Sequence, residues 1–240
     1  MKRKLLSLYL LCFAFTANAQ LFMADENDST VITEYYDGLV WAYQQIDDFV
    51  VGMTNYVDKD NYGKNYRIQI FIKNLGDSSV TFDPSLVTST LFDKKGNMEE
   101  LKVYTFDGYM KKVKRQQAWA MALTGFSAGL NAGMAGYQTT YTTSYNYGRP
   151  YTQVHTTYNY GVASAAKMAA QTQLMILGSI MSSDKKTISQ GYLKMTTIHP
   201  DDGIIGYMNI KYKKGQQMTV NIPINGNVYS FDWDVEKKKK

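Results

Sequence analysis

The chain has 240 residues, of which 45% are hydrophobic and 20% charged, with 18 glycines and a single cysteine. This composition excludes collagen-like, coiled-coil and wholly disordered proteins, and it is typical of one globular domain with an elaboration. Composition identifies neither a reaction nor a ligand. The functional information lies in how the chain is organised.

The N-terminus has the three parts of a secretory signal peptide. Lys2 to Lys4 are positive, Leu5 to Thr16 are mostly apolar, and Ala17-Asn18-Ala19 is an A-x-A cleavage site. We therefore predict that residues 1–19 are removed and that the protein is exported to the periplasm, the outer membrane or the extracellular space. An uncleaved anchor is the alternative, but the apolar run is short for a membrane-spanning helix. Cys12 follows a leucine rather than a small residue, so lipidation is not expected.

The basic character of the chain comes from its two ends. From Gln20 onwards there are 23 Lys and Arg against 21 acidic residues, and leaving out the basic tail 237–240 makes the net charge −2. A nucleic-acid-binding domain is basic across its surface, so nucleic acid is not an expected partner. The four terminal lysines are interpreted as a short solvated tail.

Two parts of the chain have the alternation of β-strands. In the first, 49–56 and 66–73 flank the turn-forming residues 58–65, which predict a long hairpin loop. Further strands of this part are predicted at 80–82, 86–92 and 101–106. The second part predicts strands at 188–198, 204–212, 218–224 and 228–233.

Eight or nine short strands separated by turns indicate an antiparallel β-sandwich. Neither part has enough strands to cover its own apolar face, so we expect 20–106 and 187–236 to form one discontinuous sandwich, mainly β with an α insertion. The run I-F-I-K-N-L-G-D-S-S-V-T-F-D at Ile70 to Asp83 resembles the immunoglobulin-like domains of small exported bacterial proteins. The resemblance implies a fold and carries no functional residues across.

The insertion 107–186 predicts a long helical hairpin. Gly125, Gly129 and Gly133 recur at every fourth position within 118–136, a stretch without charge. On a helix these glycines lie on one face, where a second helix can approach closely. The spacing resembles the glycine zippers of membrane-associated proteins, and glycine zippers also occur in soluble helical hairpins. We predict that these three glycines mediate helix packing.

The second predicted helix, Val162 to Met181, begins with small residues and ends with large ones. We expect its alanine-rich half to lie against the glycine face. Its large residues, Leu174 to Leu177, Ile180 and Met181, are expected to dock the hairpin onto the sandwich. A single hairpin is not expected to cross a membrane, because a central Lys167 alone costs about 3 kcal/mol. Several chains sealing their polar faces together remain the alternative.

Basic residues are predicted at the base of the hairpin. They form a candidate membrane-proximal collar that would contact anionic lipid head groups, and a solvated basic turn is the alternative. The collar comprises Lys111, Lys112, Lys114, Arg115, Lys185 and Lys186.

The segment that joins the two helices, 137–161, has seven Tyr, seven Thr and one charge. It predicts either a β-ribbon or a disordered loop. Tyrosines suit a glycan, a partner protein or a membrane interface. The candidate contact residues are Tyr141, Tyr145, Tyr147, Tyr151, Tyr158 and Tyr160.

The sequence gives little support for a catalytic site. The predicted exported chain has no cysteine, and its two histidines, His155 and His199, have no partners at a recognisable spacing. Carboxylates are common but unplaced, which leaves a hydrolase on the sandwich without specific evidence. We therefore predict no catalytic residue, no metal and no cofactor. The expected function is oligomerisation or outer-membrane contact of a cell-envelope protein through its hairpin, and the alternative is a binding module that uses the Tyr-rich segment.

Overall fold

Alternating apolar residues and tight turns form three antiparallel sheets and a β-ribbon in the described part of the chain. Two long helices flank the ribbon. The computed structural model describes residues 23–24, 30–146 and 149–236. The predicted signal peptide 1–19, Tyr147 and the basic tail 237–240 lie outside the described residues. The protein is mainly antiparallel β with two helices, as the sequence predicted.

The strands of the three sheets are β1 (Met23–Ala24), β2 (Ile32–Tyr36), β3 (Leu39–Ile46), β4 (Phe49–Asp60), β5 (Gly63–Asn74), β6 (Val80–Phe82), β7 (Thr88–Phe92), β8 (Met98–Leu101), β9 (Val103–Tyr104), β12 (Thr196–Ile198), β13 (Gly203–Lys211), β14 (Gln217–Ile224) and β15 (Asn227–Asp234). A six-stranded sheet has the order β2-β3-β4-β5-β13-β9, and a five-stranded sheet has the order β1-β15-β14-β7-β8. The short strands β12 and β6 pair with each other. We call these three sheets the β body.

The buried side chains of the two large sheets belong to one hydrophobic cluster. Ile68, Ile70 and Ile72 of β5 alternate with more exposed residues and are fully buried. Trp233 of β15 is buried in the same cluster. Tyr229, also on β15, donates its hydroxyl to the backbone oxygen of Ile46 at 2.9 Å. Each such large apolar side chain contributes roughly 1.5–3 kcal/mol on burial, so both sheets depend on this shared core.

The prediction of a long hairpin loop at 58–65 is wrong. Strands β4 and β5 stay paired as far as Asp60 and Gly63, and only Asn61 and Tyr62 form the turn. Long-range partners explain the difference: the Asp58 carboxylate lies 2.5 Å from the Arg67 guanidinium, and Asp60 accepts a hydrogen bond from Tyr109. Residues that usually form turns are therefore held in strands that extend towards the helices.

The two helices are α1 (Phe106–Met134) and α2 (Tyr160–Gly191), and the ribbon between them consists of β10 (Tyr137–Asn146) and β11 (Arg149–Tyr158). The Thr105 hydroxyl caps the start of α1 by accepting a hydrogen bond from the Gly108 N–H. We call α1, the ribbon and α2 together the hairpin. Of the two structures predicted for the connecting segment, the β-ribbon is the one formed.

Helix α2 ends ten residues later than predicted. Residues 188–191, which were predicted to start a strand, complete the helix, and the strand β12 begins only at Thr196. As a result, the large residues of α2 lie away from the β body, and the prediction that they dock on it is wrong. Leu174, Leu177 and Met181 are half-buried towards α1, whereas Met175, Ile176 and Ile180 are exposed. The residues that dock on the β body are Ile188, Tyr192 and Leu193, which are buried in its core cluster.

Candidate functional site

The hairpin is attached to the β body at a root made by the first turns of α1 and the last turns of α2. An aromatic cluster holds it: the Tyr192 ring stacks on Tyr109 with centroids 5.5 Å apart and meets Tyr207 of β13 edge-on at 5.0 Å. The Tyr192 hydroxyl donates to the Tyr104 carbonyl and accepts from the buried N–H of Asn209. Tyr192 thus contacts strands β9 and β13 and the first helix at the same time.

Polar contacts reach further up the root. Gln117 of α1 donates through Nε2 to the Tyr62 hydroxyl at 2.8 Å, and Tyr62 donates to the Asp184 carboxylate of α2 at 2.6 Å. The same Gln117 nitrogen also donates to the Met181 carbonyl. The turn between β4 and β5 therefore fixes both helices at once, through residues that sequence analysis did not select because their partners are 55 to 122 positions away.

The buried tyrosines make stability sensitive to alkaline pH. Desolvation, followed by the hydrogen bond to Asp184, raises the pKa of Tyr62 to about 12, and desolvation also raises the pKa of Tyr229 to about 12. Unfolded tyrosine ionises near pH 10. Between about pH 10 and 12 the unfolded chain loses protons that the folded chain retains, so the free energy of unfolding falls as the pH rises through this window.

We therefore expect the denaturant midpoint to be steady below about pH 10 and to fall steadily above it. Circular dichroism in a urea series at several pH values measures the midpoint, and Tyr62→Phe should weaken the dependence. A midpoint that stays constant to about pH 12 would contradict the prediction.

Between the root and the ribbon the two helices pack through mostly small residues. On α1, Ala128 is buried and Thr124 and Ala132 are half-buried. Facing positions on α2 repeat every three or four residues, which is the spacing of a helix seam. They are Ala163, Ala166, Ala170, Leu174, Leu177 and Met181.

The glycine row, Gly125, Gly129 and Gly133, is not part of this seam. Among the described residues, a Cβ atom built at any of the three meets no side chain and no other part of the chain within 4 Å, apart from its immediate neighbours and the backbone of its own helix. The prediction that the alanines of α2 lie against the glycine row is therefore wrong, because Ala128 and its neighbours take that place. The row faces away from α2 and is open to another molecule.

An outer stripe of large apolar residues runs along α1. Phe126 follows Thr124 and precedes Ala128 by two residues each, and at about 100° per residue it lies on the side of the helix opposite the seam. The stripe consists of residues 51% to 71% exposed: Trp119, Leu123, Phe126, Leu130 and Met134. Its members are spaced by three or four positions, so they form one continuous face.

Only some residues of the predicted basic collar are exposed and could contact lipid head groups. Lys111, Lys114, Arg115 and Lys186 are exposed, and Lys185 is half-buried. Lys112 is engaged in the root: its ammonium donates to the Asn65 side chain and lies 5.1 Å from the Tyr104 ring centroid. Burial lowers the pKa of Lys112. Lys112 is therefore half-buried and engaged in the root, unlike the exposed members of the predicted collar.

The ribbon has ten consecutive residue pairs without a bulge. Its register places Tyr137 opposite Tyr158 and Tyr141 opposite Val154, so these four residues share one face. Tyr141 is exposed, and Tyr158 contacts both Tyr137 and Tyr160 edge-on. The remaining candidates are placed by backbone register alone: Tyr145 lies opposite Pro150, and Tyr151 lies opposite Ser144.

Among the described residues, neither helix combines the length and apolarity that a membrane span requires. The described geometry is a β body with a long hairpin whose first helix carries an exposed apolar stripe and no charged residue after Arg115. No protein-family model matches this chain, and no curated protein matches it in sequence.

Proposed function

We propose that this protein is an exported, non-enzymatic cell-envelope protein that assembles with further copies of itself through α1 of the hairpin. The observation that carries the proposal is the outer stripe, which leaves five large apolar side chains in water in an isolated chain. Contiguous exposed apolar patches of this kind mark interaction sites in soluble proteins. The predicted signal peptide supports export.

The surface beside the stripe suits a second helix. Gly129 lies three residues from Phe126 and Gly133 three residues from Leu130, so each glycine neighbours a stripe residue on the helix surface. Large side chains of one copy can therefore fill the space above the glycines of the next. Three glycines cost a helix about 1 kcal/mol each relative to alanine, and close packing between copies offsets this cost.

Charge favours the same partner. No charged residue occurs between Arg115 and Arg149, although the chain as a whole is 20% charged. Depletion of charge is characteristic of the central part of protein interfaces. Two copies of α1 meet no like-charge repulsion along the stripe.

Lipid fits the same surface less well. Polar Gln117 lies in the root and Thr124 in the seam of the hairpin, and Lys167 is exposed within the first third of α2. A charged residue at the centre of a bilayer costs about 3 kcal/mol. A second copy covers the apolar stripe and leaves Lys167 in water, so we propose self-association and treat membrane contact as an outcome of the test.

The stripe alone forms a modest interface. Five such side chains offer on the order of 600 Å² per copy, compared with about 800 Å² in a standard interface. At about 25 cal/mol/Å² the two copies together gain roughly 30 kcal/mol on transfer, and ordering, desolvation and the roughly 4–15 kcal/mol of lost freedom reduce this gain. Further surface of the hairpin is expected to take part. For the β body, we retain the immunoglobulin-like sandwich as part of the proposal, on the support of its two sheets sharing one core cluster.

Sedimentation of the protein beginning at Gln20, over a range of concentrations without lipid, tests this function. The proposal expects a concentration-dependent shift to dimers or larger assemblies. A chain that stays monomeric in water and floats with vesicles of anionic lipid would overturn self-association in favour of membrane contact. A chain that neither assembles nor floats would overturn both roles in favour of a binding module whose ribbon tyrosines contact a glycan or a protein ligand.

Gly129→Leu is expected to abolish the assembly, because a leucine there fills the space that the partner helix needs. The substitution improves helix propensity, so the monomer should keep its thermal stability. Light scattering measures the change in mass. Gly178→Leu on α2 is the matched control, because a Cβ there also meets open space and the assembly should survive. An unchanged mass for Gly129→Leu would remove the glycine row from the interface.

A further inference from the structure

The ribbon has two sheet edges that are unprotected. Among the described residues, β10 and β11 pair only with each other. A two-stranded ribbon on its own is marginally stable in water. Natural sheets protect exposed edges with bulges, charged side chains or prolines. Here the pairing has no bulge, and Arg149 and Pro150 lie only beside the turn.

The orientation of the backbone along each edge follows from one hydrogen bond. Asn159 donates its N–H to the Gly136 carbonyl, just below the first ribbon pair. In an antiparallel ladder, pairs that exchange hydrogen bonds alternate with pairs whose groups point outwards. Tyr137, Thr139 and Tyr141 of β10 therefore direct their N–H and carbonyl groups away from β11, and Val154 and Thr156 do the same on the other edge.

We propose that ribbons of neighbouring copies pair edge to edge and form one continuous sheet across the assembly. This proposal rests on self-association through α1 and names the further surface that completes the interface. The occupant is a second copy because the ribbon continues directly from the stripe, three residues after Met134, and because the stripe is smaller than a standard interface requires. Apart from Arg149 beside the turn, neither strand contains Lys, Arg, Asp or Glu, and both are rich in Tyr and Thr, which favour strands, so each edge is complementary to another ribbon.

Thr139→Pro tests the edge, because it removes an outward N–H and leaves the bonds between β10 and β11 in place. Thr139→Ala is the matched control, since it loses the same side chain and keeps the N–H. Sedimentation should show the dissociation constant of the assembly raised at least tenfold by proline and little changed by alanine. Equal affinities of the two variants would overturn edge pairing.

Hydrogen exchange provides a readout that does not depend on how well the proline variant folds. In the assembled wild-type protein, the amides of Thr139, Tyr141 and Thr156 should exchange at least tenfold more slowly than in a monomeric variant with a disrupted stripe. Equally fast exchange in an assembled protein would overturn edge pairing and leave the role of α1 standing. A wild-type protein that never assembles would overturn both proposals.

Discussion

Replacing Phe126 and Leu130 together by glutamate is expected to leave the protein monomeric at all accessible concentrations. Each side chain contributes roughly 1.5–3 kcal/mol when fully buried, so losing both from each copy raises the dissociation constant by at least about 100-fold. Both side chains are exposed in the single chain, and glutamate is a good helix former. The midpoint of thermal unfolding should therefore change little. Sedimentation velocity and circular dichroism measure the two effects.

Met175→Glu is the matched control for this pair. Met175 lies on α2 and is as exposed as Phe126, at 68% against 69%, so the substitution introduces one of the two negative charges of the double variant at an equally exposed apolar position. We expect the assembly to persist. If Met175→Glu dissociates the copies and the double variant does not, the contact lies on α2 and the assignment to α1 is wrong.

Tyr192→Ala is expected to destabilise the protein by about 3–5 kcal/mol, the range for truncating a large buried aromatic residue. The ring is 4% exposed and contacts Phe106, Tyr109 and Tyr207, so its loss leaves a cavity at the root. Urea unfolding followed by tryptophan fluorescence measures the change. A loss below about 1 kcal/mol would show that the aromatic cluster does not hold the hairpin.

Tyr192→Phe separates the hydroxyl from the ring. It keeps the stacking and leaves the buried Asn209 N–H without its acceptor, at a cost of about 1–3 kcal/mol. Faster exchange of the Asn209 amide should accompany this loss. Unchanged stability and exchange would mean that the ring alone supports the root.

Local patterns predicted much of the β body. The alternation at Ile68, Ile70 and Ile72 correctly predicted one buried face of β5, and the turn at Asn225 and Gly226 joins β14 to β15 with positive φ angles at both residues. The extension of the strands to Asp58 and Asp60 could not be predicted from the neighbouring sequence, because the partners of these residues come from β5 and α1. The end of α2 was missed for a related reason, since burial of Ile188 against the β body outweighs its preference for strands.

The candidate site shows a different limit. Apolar residues occur on several sides of α1, so periodicity does not distinguish the face that meets α2 from the face that meets another chain. The seam uses Gln117, Thr124 and Ala128, while the larger Trp119 and Phe126 are exposed. A sequence argument that places large residues inside selects the wrong face. The glycines were recognisable from their spacing, but the helix they would pack against was not.

Within the described part of the chain the hairpin is attached to the β body at the root, so a small rotation there displaces its far end. Its 29-residue first helix is about 44 Å long at 1.5 Å per residue, and each ten-residue strand of the ribbon is about 34 Å long. A rotation of only about 10° at the root therefore moves the far end of α1, where the ribbon begins, by roughly 8 Å, more than one strand spacing. The hydrogen bonds of Tyr62 and Gln117 thus fix the direction of the hairpin and the position of its distant ribbon. The angle between hairpin and β body determines which neighbouring copies the ribbon can reach.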